Sequence, residues 1–139
     1  MESIESDPSG LPPGLARHLI RPCNGGAPPP GSSALSGAAS NAACGDRLVL
    51  WIWPQGPGHR IAFQAQACSA VLAVASVGCE ALSAAFARAG ERDALRAAAA
   101  ELQLERRVAE LGGLPRHKAH ALAVFERALG EALAGLGAA

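Results

Sequence analysis

Residues 47–53, RLVLWIW, decide the fold of this 139-residue chain, because they are its most strand-like stretch. They combine β-branched, aromatic and leucine side chains and are bounded by Gly45-Asp46 and by Pro54, which is typical of a β-strand. Side chains alternate across a strand, so this one has two faces. The faces are Leu48, Leu50 and Ile52 on one side, and Val49, Trp51 and Trp53 on the other. Residues 54–58, PQGPG, form a turn and residues 59–67 alternate again, which predicts a β-hairpin.

The chain after Cys68 has the three- and four-residue spacing that is typical of helices. A long helix is expected up to Gly90, and residues 91–111 predict one further helix or two. Residues 112–115, GGLP, interrupt the pattern, and a last helix is expected over residues 117–136. The order of a small antiparallel sheet followed by helices predicts an α+β fold.

The residues before the hairpin carry weaker signals. Residues 1–13 are rich in Ser, Pro, Asp and Glu, and we expect a flexible N-terminal tail ahead of a single domain over residues 14–139. Residues 15–20 predict a short helix that ends before Pro22. Residues 23–37 have the composition of a loop.

Composition and charge exclude several classes of protein. The 12 basic and 12 acidic side chains give a net charge of zero, which argues against a nucleic-acid-binding protein. No uncharged apolar run reaches the roughly 18 residues of a membrane span, so no membrane partner is expected. Acidic residues at positions 2, 5 and 7 stand where a secretory signal would be positive, which predicts a cytoplasmic protein.

Four cysteines, at positions 23, 44, 68 and 79, need an explanation, because disulfide frameworks are rare in the cytosol. No Cys-x-x-Cys pair is present, which disfavours zinc-finger and thioredoxin-like interpretations. Cys79 is eleven residues beyond Cys68 on the same predicted helix, about 16 Å along its axis, so it is interpreted as a core residue.

Three stretches carry groups that bind metal ions. Cys44 and Asp46 lie two residues apart before the first hairpin strand, where thiolate and carboxylate can face one ion. Cys68 stands at the start of a long predicted helix, which favours its anionic thiolate form. His117 and His120 are one turn apart in a basic stretch at the start of the last helix. Each stretch alone has an ordinary interpretation as an incidental cysteine, a small buried side chain or a solvent-exposed basic segment.

Taken together and in this order, the residues resemble the NifU-type (IscU/SufU-like) family of iron–sulfur cluster assembly scaffolds. Residues 18–25, HLIRPCNG, are similar to the family's N-terminal His-x-x-x-Pro-x-Asn-x-Gly motif, and residues 37–46 to its loop that ends Cys-Gly-Asp. Residues 67–80 resemble its Gly-Cys-x-x-x-x-Ala-Ser helix start. Residues 114–120, LPRHKAH, resemble the final segment, which the IscU branch writes Leu-Pro-Pro-Val-Lys-x-His-Cys. The resemblance spans about residues 15–136.

The resemblance implies a three-stranded antiparallel sheet with helices packed on one face, the extra strand coming from about residues 33–40. It also implies a site for iron or a [2Fe–2S] cluster. The implied ligands are Cys44, Asp46, Cys68 and His120, with Lys118 beside them to hold anionic sulfur species. Ala121 departs from the pattern, since the family has its third cysteine there. Cys23 is a thiol that could reach the site, and two Cys, one Asp and one His are also a workable zinc ligand set.

The function expected from the resemblance is that of a carrier without enzymatic turnover of its own. It would assemble a cluster with sulfur from a cysteine desulfurase and pass it to apo-protein acceptors. The alternative is a zinc-stabilised module that regulates or docks to the assembly machinery, and a third hypothesis is a structural descendant without metal. The sequence leaves the oligomeric state open. It also leaves open whether Trp51 and Trp53 form an exposed contact surface or are covered by the tail or by residues 23–37.

Overall fold

The computed structural model describes residues 10–22, 24–41 and 45–136, and it confirms the predicted α+β class with a three-stranded antiparallel sheet. The elements, in chain order, are helix α1 (Pro13–Ile20), strands β1 (Leu35–Asn41), β2 (Asp46–Gln55) and β3 (Gly58–Gln66), and helices α2 (Ser69–Ala87), α3 (Arg92–Ala100), α4 (Leu104–Glu110) and α5 (His120–Ala134). A 3₁₀ turn over Arg116–Lys118 precedes α5.

The predicted hairpin forms two of the three strands, and the sheet order is β1-β2-β3. A two-residue turn, Gly56-Pro57, joins β2 to β3, and Gly56 has a φ of +60°, which costs a glycine little. Strand β1 pairs with the other side of β2, and its last pair joins Asn41 to Asp46. Asp46 therefore lies at one end of the sheet.

One face of the sheet packs against two helices, as the alternation of β2 predicts. Leu48, Leu50 and Ile52 are fully buried on this face, where α2 covers β3 and α5 covers β1 with part of β2. Gly37 permits the close approach of α5 to β1. A Cβ on Gly37 would lie 3.0 Å from Cα of Ala132 and closer still to the carbonyl oxygen of Ala128. Any side chain at this position would push α5 off the strand.

The segment before β1 is anchored on the outer edge of β3. Phe63 donates its N–H to the carbonyl of Asn24, Gly26 donates to the carbonyl of Phe63, and both bonds measure 2.9 Å. Asn24 has a φ of +65°, a conformation that asparagine tolerates better than most residues. Its amide donates to the carbonyl of Ile61 and to Oγ of Ser83 at 2.9 and 2.8 Å. Part of the predicted loop is thus fixed to the sheet by hydrogen bonds.

Helix α1 is held on α2 by a polar contact. His18 Nδ1 lies 2.6 Å from Oγ of Ser76, and His18 Nε2 lies 3.7 Å from a carboxylate oxygen of Glu80. These residues have the types of a hydrolase triad, but Ser76 is fully buried and cannot reach a substrate, so the contact anchors α1. Leu11 is 4% exposed, so packing against the core begins within the range predicted as tail.

The bounds of β1 and of the last helix differ from the sequence predictions, and the structure settles the one-or-two question for residues 91–111. Strand β1 is shifted toward its C-terminal end relative to residues 33–40. Residues 91–111 form two helices, and Gln103 separates them with a φ of +51°. The last helix begins at His120 because the residues after Pro115 wind as a 3₁₀ turn instead of an α-helix.

The two tryptophans of the outer sheet face differ in burial. Trp53 is 5% exposed, whereas Trp51 is partly exposed. Trp53 Nε1 is buried without a hydrogen-bond partner in the described part of the chain. Trp53 is therefore covered, and only Trp51 is partly open to solvent.

Helix α2 is long and apolar enough, by length and composition, to cross a membrane, with a mean hydropathy of 1.8 in its most apolar window. However, 61% of that window is buried inside the fold, which is also typical of the core helix of a packed domain. Cys79 lies on this helix and is fully buried, as predicted.

Candidate metal centre

Asp46 is the first residue of β2, and its carboxylate is buried, with 2% exposure. Asp46 is two residues before Leu48, so both side chains point to the helix-covered face of the sheet. A buried carboxylate must be paired or hydrogen-bonded, because its desolvation is otherwise costly. Its Oδ1 accepts the backbone N–H of Cys68 at 2.8 Å, and its Oδ2 lies 3.2 Å from Nε2 of His120. Both oxygens therefore face residues of the candidate site.

Cys68 joins β3 to α2 and is the N-cap residue of that helix, as the sequence predicted. Its backbone is extended, with φ −67° and ψ 166°, and its side chain makes no capping hydrogen bond. A thiol at this point stands at the positive end of the α2 dipole, and the thiolate is the form of cysteine that binds metals. Because Asp46 holds the N–H of Cys68, the carboxylate fixes where the thiol stands.

His120 is the first residue of α5, and one ring nitrogen faces both other groups. Its Nε2 lies 3.2 Å from Oδ2 of Asp46 and 3.9 Å from Sγ of Cys68. In a Cys–His–Asp catalytic triad the nucleophile and the carboxylate contact different ring nitrogens. Here they share one nitrogen, which is the arrangement of ligands around a common ion.

The three ligand atoms lie within 4.8 Å of one another. Thiolate, imidazole and carboxylate are all zinc ligands, and thiolate and imidazole also hold iron–sulfur clusters. Asp46, Cys68 and His120 come from β2, the start of α2 and the start of α5, and up to 74 residues of chain separate them. A bound ion would therefore link three elements of the fold.

Lys118 lies beside the cluster. Its Nζ donates to Oγ of Ser69 at 3.3 Å, and Ser69 is the first residue of α2, next to Cys68. An ammonium group and a helix N-terminus both favour anions at this point. The sequence analysis did not identify Ser69, although its position after a helix-capping cysteine is a signal that could have indicated it.

The remaining predicted residues have different outcomes. Cys44 and Cys23 lie outside the described residues, so their predicted roles remain predictions. Ala121 is fully buried in the hydrophobic core next to the site. His117 is exposed on the 3₁₀ turn and does not belong to the ligand group found among the described residues.

A groove of about 950 Å³ lies elsewhere, between α3–α4 and α5. Its lining includes Leu104, Leu129 and Leu133, with Arg96 and Glu126 among its polar residues. None of the cluster residues lines it, so the metal-binding chemistry and the groove are separate features.

Comparisons with known proteins give a likeness of fold. No protein-family model matches the chain, and no curated protein matches it. Among solved structures, the chain is similar to a hypothetical protein whose crystal structure was determined at 2.3 Å resolution. The two chains are 20% identical with a TM-score of 0.56, and the match covers 86% of this chain and 93% of that one. The sheet and helices described above are therefore an arrangement that another protein shares over nearly its whole length.

Proposed function

We propose that this protein is a scaffold-like carrier of iron–sulfur cluster assembly, which holds iron or a [2Fe–2S] cluster as its cargo. The convergence of Asp46, Cys68 and His120 within 4.8 Å carries the proposal, because it joins soft and nitrogen ligands for iron at one point. Cys44, two residues before Asp46, would supply a second thiolate. The chain acts in this proposal as a carrier and not as an enzyme.

The mixed ligand set suits a cluster that must be transferred to another protein. Carboxylate oxygen is a harder ligand than thiolate, so Asp46 would be the ligand most easily exchanged on iron. Its Oδ1 also accepts the Cys68 N–H, which keeps the carboxylate in place when Oδ2 exchanges. The ammonium group of Lys118, which lies against the first residue of α2, would attract the anionic sulfur that a cysteine desulfurase delivers. The acceptors would be apo-proteins that bind the cluster more tightly.

Anaerobic reconstitution tests the proposal. The purified protein is incubated with ferrous iron and sulfide, and iron content, sulfide content and the visible sulfide-to-iron absorption are measured. We expect a cluster that Cys44→Ala and Cys68→Ser abolish. Cys79→Ser is the control, since Cys79 is a buried cysteine on the helix that Cys68 caps and lies away from the ligand group. Transfer of the cluster to an apo-ferredoxin then tests the carrier role.

A zinc-binding regulatory or docking module of the same machinery is the second candidate. The buried Ala121 favours it, because the position offers an apolar methyl group where a third thiolate would complete a cluster site. Two cysteines with one Asp and one His form a tetrahedral zinc set. Stoichiometric zinc in the purified protein, with no reconstitutable cluster, would support this candidate. A folded protein that binds neither zinc nor a cluster would contradict both.

A further inference from the structure

The outer face of the sheet, opposite the face that α2 and α5 cover, carries positive charge only. Side chains alternate along a strand, so Arg47 and Arg60 point to the outer face, whereas Asp46 points to the covered face and is buried. These three are the only Asp, Glu, Lys or Arg residues in the stretch 22–79, which contains the whole sheet. Because the chain as a whole has a net charge of zero, the charge of this face is a local asymmetry.

Neither of the two arginines has a partner within the described part of the chain. Both side chains are exposed, and neither guanidinium makes a hydrogen bond or an ion pair with the residues that the structure describes. Arg60 stands opposite Trp53, six residues along β2 from Arg47, so about 20 Å separates the two positions. Each guanidinium therefore keeps its donors for solvent or for a second molecule.

Trp51 lies between the two arginines on the same face. Its indole is partly exposed, and its register partners, Ser36 on β1 and Ala62 on β3, are both small. Neighbours of this size leave an indole ring accessible from the side of the sheet. Trp and Arg are also among the side chains most enriched at the energetic centres of protein interfaces. An apolar surface thus lies between two cations.

A hollow of about 510 Å³ lies at the Arg47 end of this face. Arg47, Gln64 and Gln66 are among the residues that line it, and Gln66 is directly opposite Arg47 in the register of β2 and β3. A guanidinium beside two side-chain amides offers several N–H donors, and a carboxylate accepts such donors well. This end therefore has the chemistry to receive an acidic side chain. We call Arg47, Trp51, Arg60, Gln64 and Gln66 the outer-face patch.

We propose that the outer-face patch is a docking surface for an acidic segment of another protein, in which carboxylates flank an apolar side chain. The carboxylates pair with Arg47 and Arg60, and the apolar side chain packs on Trp51. In an extended segment the acidic positions are six residues apart, because six strand residues span about 20 Å. A patch three strands wide and of this length covers about 300 Å², below the roughly 800 Å² per partner of a stable interface, so the contact is transient.

Other occupants fit the charge of the patch less well. A two-fold pair of these patches would bring like charges together, which disfavours a second copy of this chain. A nucleic-acid strand carries a phosphate at every nucleotide, and domains that bind it are usually strongly basic. The patch has two arginines about 20 Å apart on a chain of zero net charge. The acidic protein segment is therefore the occupant that the observations favour.

Intrinsic fluorescence tests the proposal, because the chain has two tryptophans, both on β2, and no tyrosine. The purified protein is titrated with the peptide EESLSGSEE, whose inner glutamates are six residues apart, and with KKSLSGSKK. We expect the acidic peptide to reach half-saturation at a concentration at least about tenfold lower than the basic one, and added salt to weaken its binding. Arg47→Glu/Arg60→Glu should reverse the preference. Arg17→Glu/Arg116→Glu, which changes the net charge equally at exposed positions on α1 and the 3₁₀ turn, is the matched control and should keep it.

Equal binding of the two peptides, or no change in emission with the acidic peptide up to about 1 mM, would overturn the proposal. An unchanged preference in a reversed variant with wild-type circular dichroism would do the same, as would tighter binding of single-stranded oligothymidylate than of the acidic peptide. Collisional quenching of the wild-type protein needs no variant to fold. Iodide should quench the exposed indole of Trp51 more strongly than caesium, each relative to free tryptophan amide, because the two guanidinium groups attract the anion. Equal relative quenching would also overturn the proposal.

Discussion

Replacing Gly37 by alanine tests how closely α5 must pack on the sheet. The added Cβ would lie 3.0 Å from Cα of Ala132 and closer to the carbonyl oxygen of Ala128, and both are backbone atoms that no rotamer change can move. The backbone of Gly37 itself has an ordinary strand conformation without a positive φ, so alanine adds only steric conflict. The expected effect is therefore displacement of α5 from β1.

The geometry gives the magnitude of the effect. The backbone of α5 must move by roughly 1 Å or more before the new methyl group reaches ordinary contact distance. Overpacking of this kind costs up to about 3 kcal/mol of unfolding free energy, and we expect Gly37→Ala to reach that value because no flexible side chain can yield. For a chain of this size the loss corresponds to a fall in Tm of about 12 °C.

Urea unfolding followed by circular dichroism measures the change, and Gly130→Ala is the matched control. Gly130 lies inside α5 and is exposed, and a Cβ there would meet nothing within 4 Å. Alanine should therefore stabilise the helix by about 1 kcal/mol, the opposite sign to position 37. A Gly37→Ala protein within about 0.5 kcal/mol of wild type would refute the close approach of α5.

Four further outcomes are expected. Asp46→Ala should cost about 1 kcal/mol or more in EDTA, measured by urea unfolding, because it removes the acceptor of the part-buried Cys68 N–H. Asp46→Asn should cost less in EDTA yet still weaken metal binding. Asn24→Gly tolerates the positive φ, so it should lose only the two side-chain hydrogen bonds, about 2 kcal/mol of unfolding free energy. Asn24→Ala should lose more, because alanine is also strained at a positive φ. Equal losses in the two variants would contradict a role for the Asn24 backbone conformation. Metal at a hundredfold excess over Kd should stabilise the fold by about 2.7 kcal/mol, and an unfolding midpoint that EDTA does not lower would show that no ion is bound. Ala121→Cys should raise the cluster yield in reconstitution, and a yield equal to that of wild type would show that position 121 does not face the ligands.

Local patterns predicted the elements whose periodicity is strong. The β2–β3 hairpin follows from alternating side chains around a short Pro/Gly turn, and α2 follows from apolar residues at helical spacing. Strand β1 is different, because its residues have low strand propensity and only the resemblance to a known family indicated it. It is a strand because β2 offers a hydrogen-bonding partner and Gly37 admits α5 against it. The division of residues 91–111 into two helices likewise depends on the left-handed backbone conformation of Gln103, which no sequence pattern indicates.

The candidate site likewise has features that the sequence predicts and features that only the tertiary structure decides. The sequence by itself identified Cys44, Asp46, Cys68 and His120 as residues with metal-binding chemistry and placed Cys68 at a helix start, whereas only the family resemblance indicated Lys118. Only the tertiary structure decided that Asp46 is buried, that it holds the Cys68 N–H, and that one nitrogen of His120 faces both. The tertiary structure also decided that His117 lies outside the group of three ligands, since a 3₁₀ turn forms where a helix was expected. The physical reason is distance along the chain: residue types determine which ligands are available, but contacts across 22 to 74 residues depend on how the sheet and helices pack.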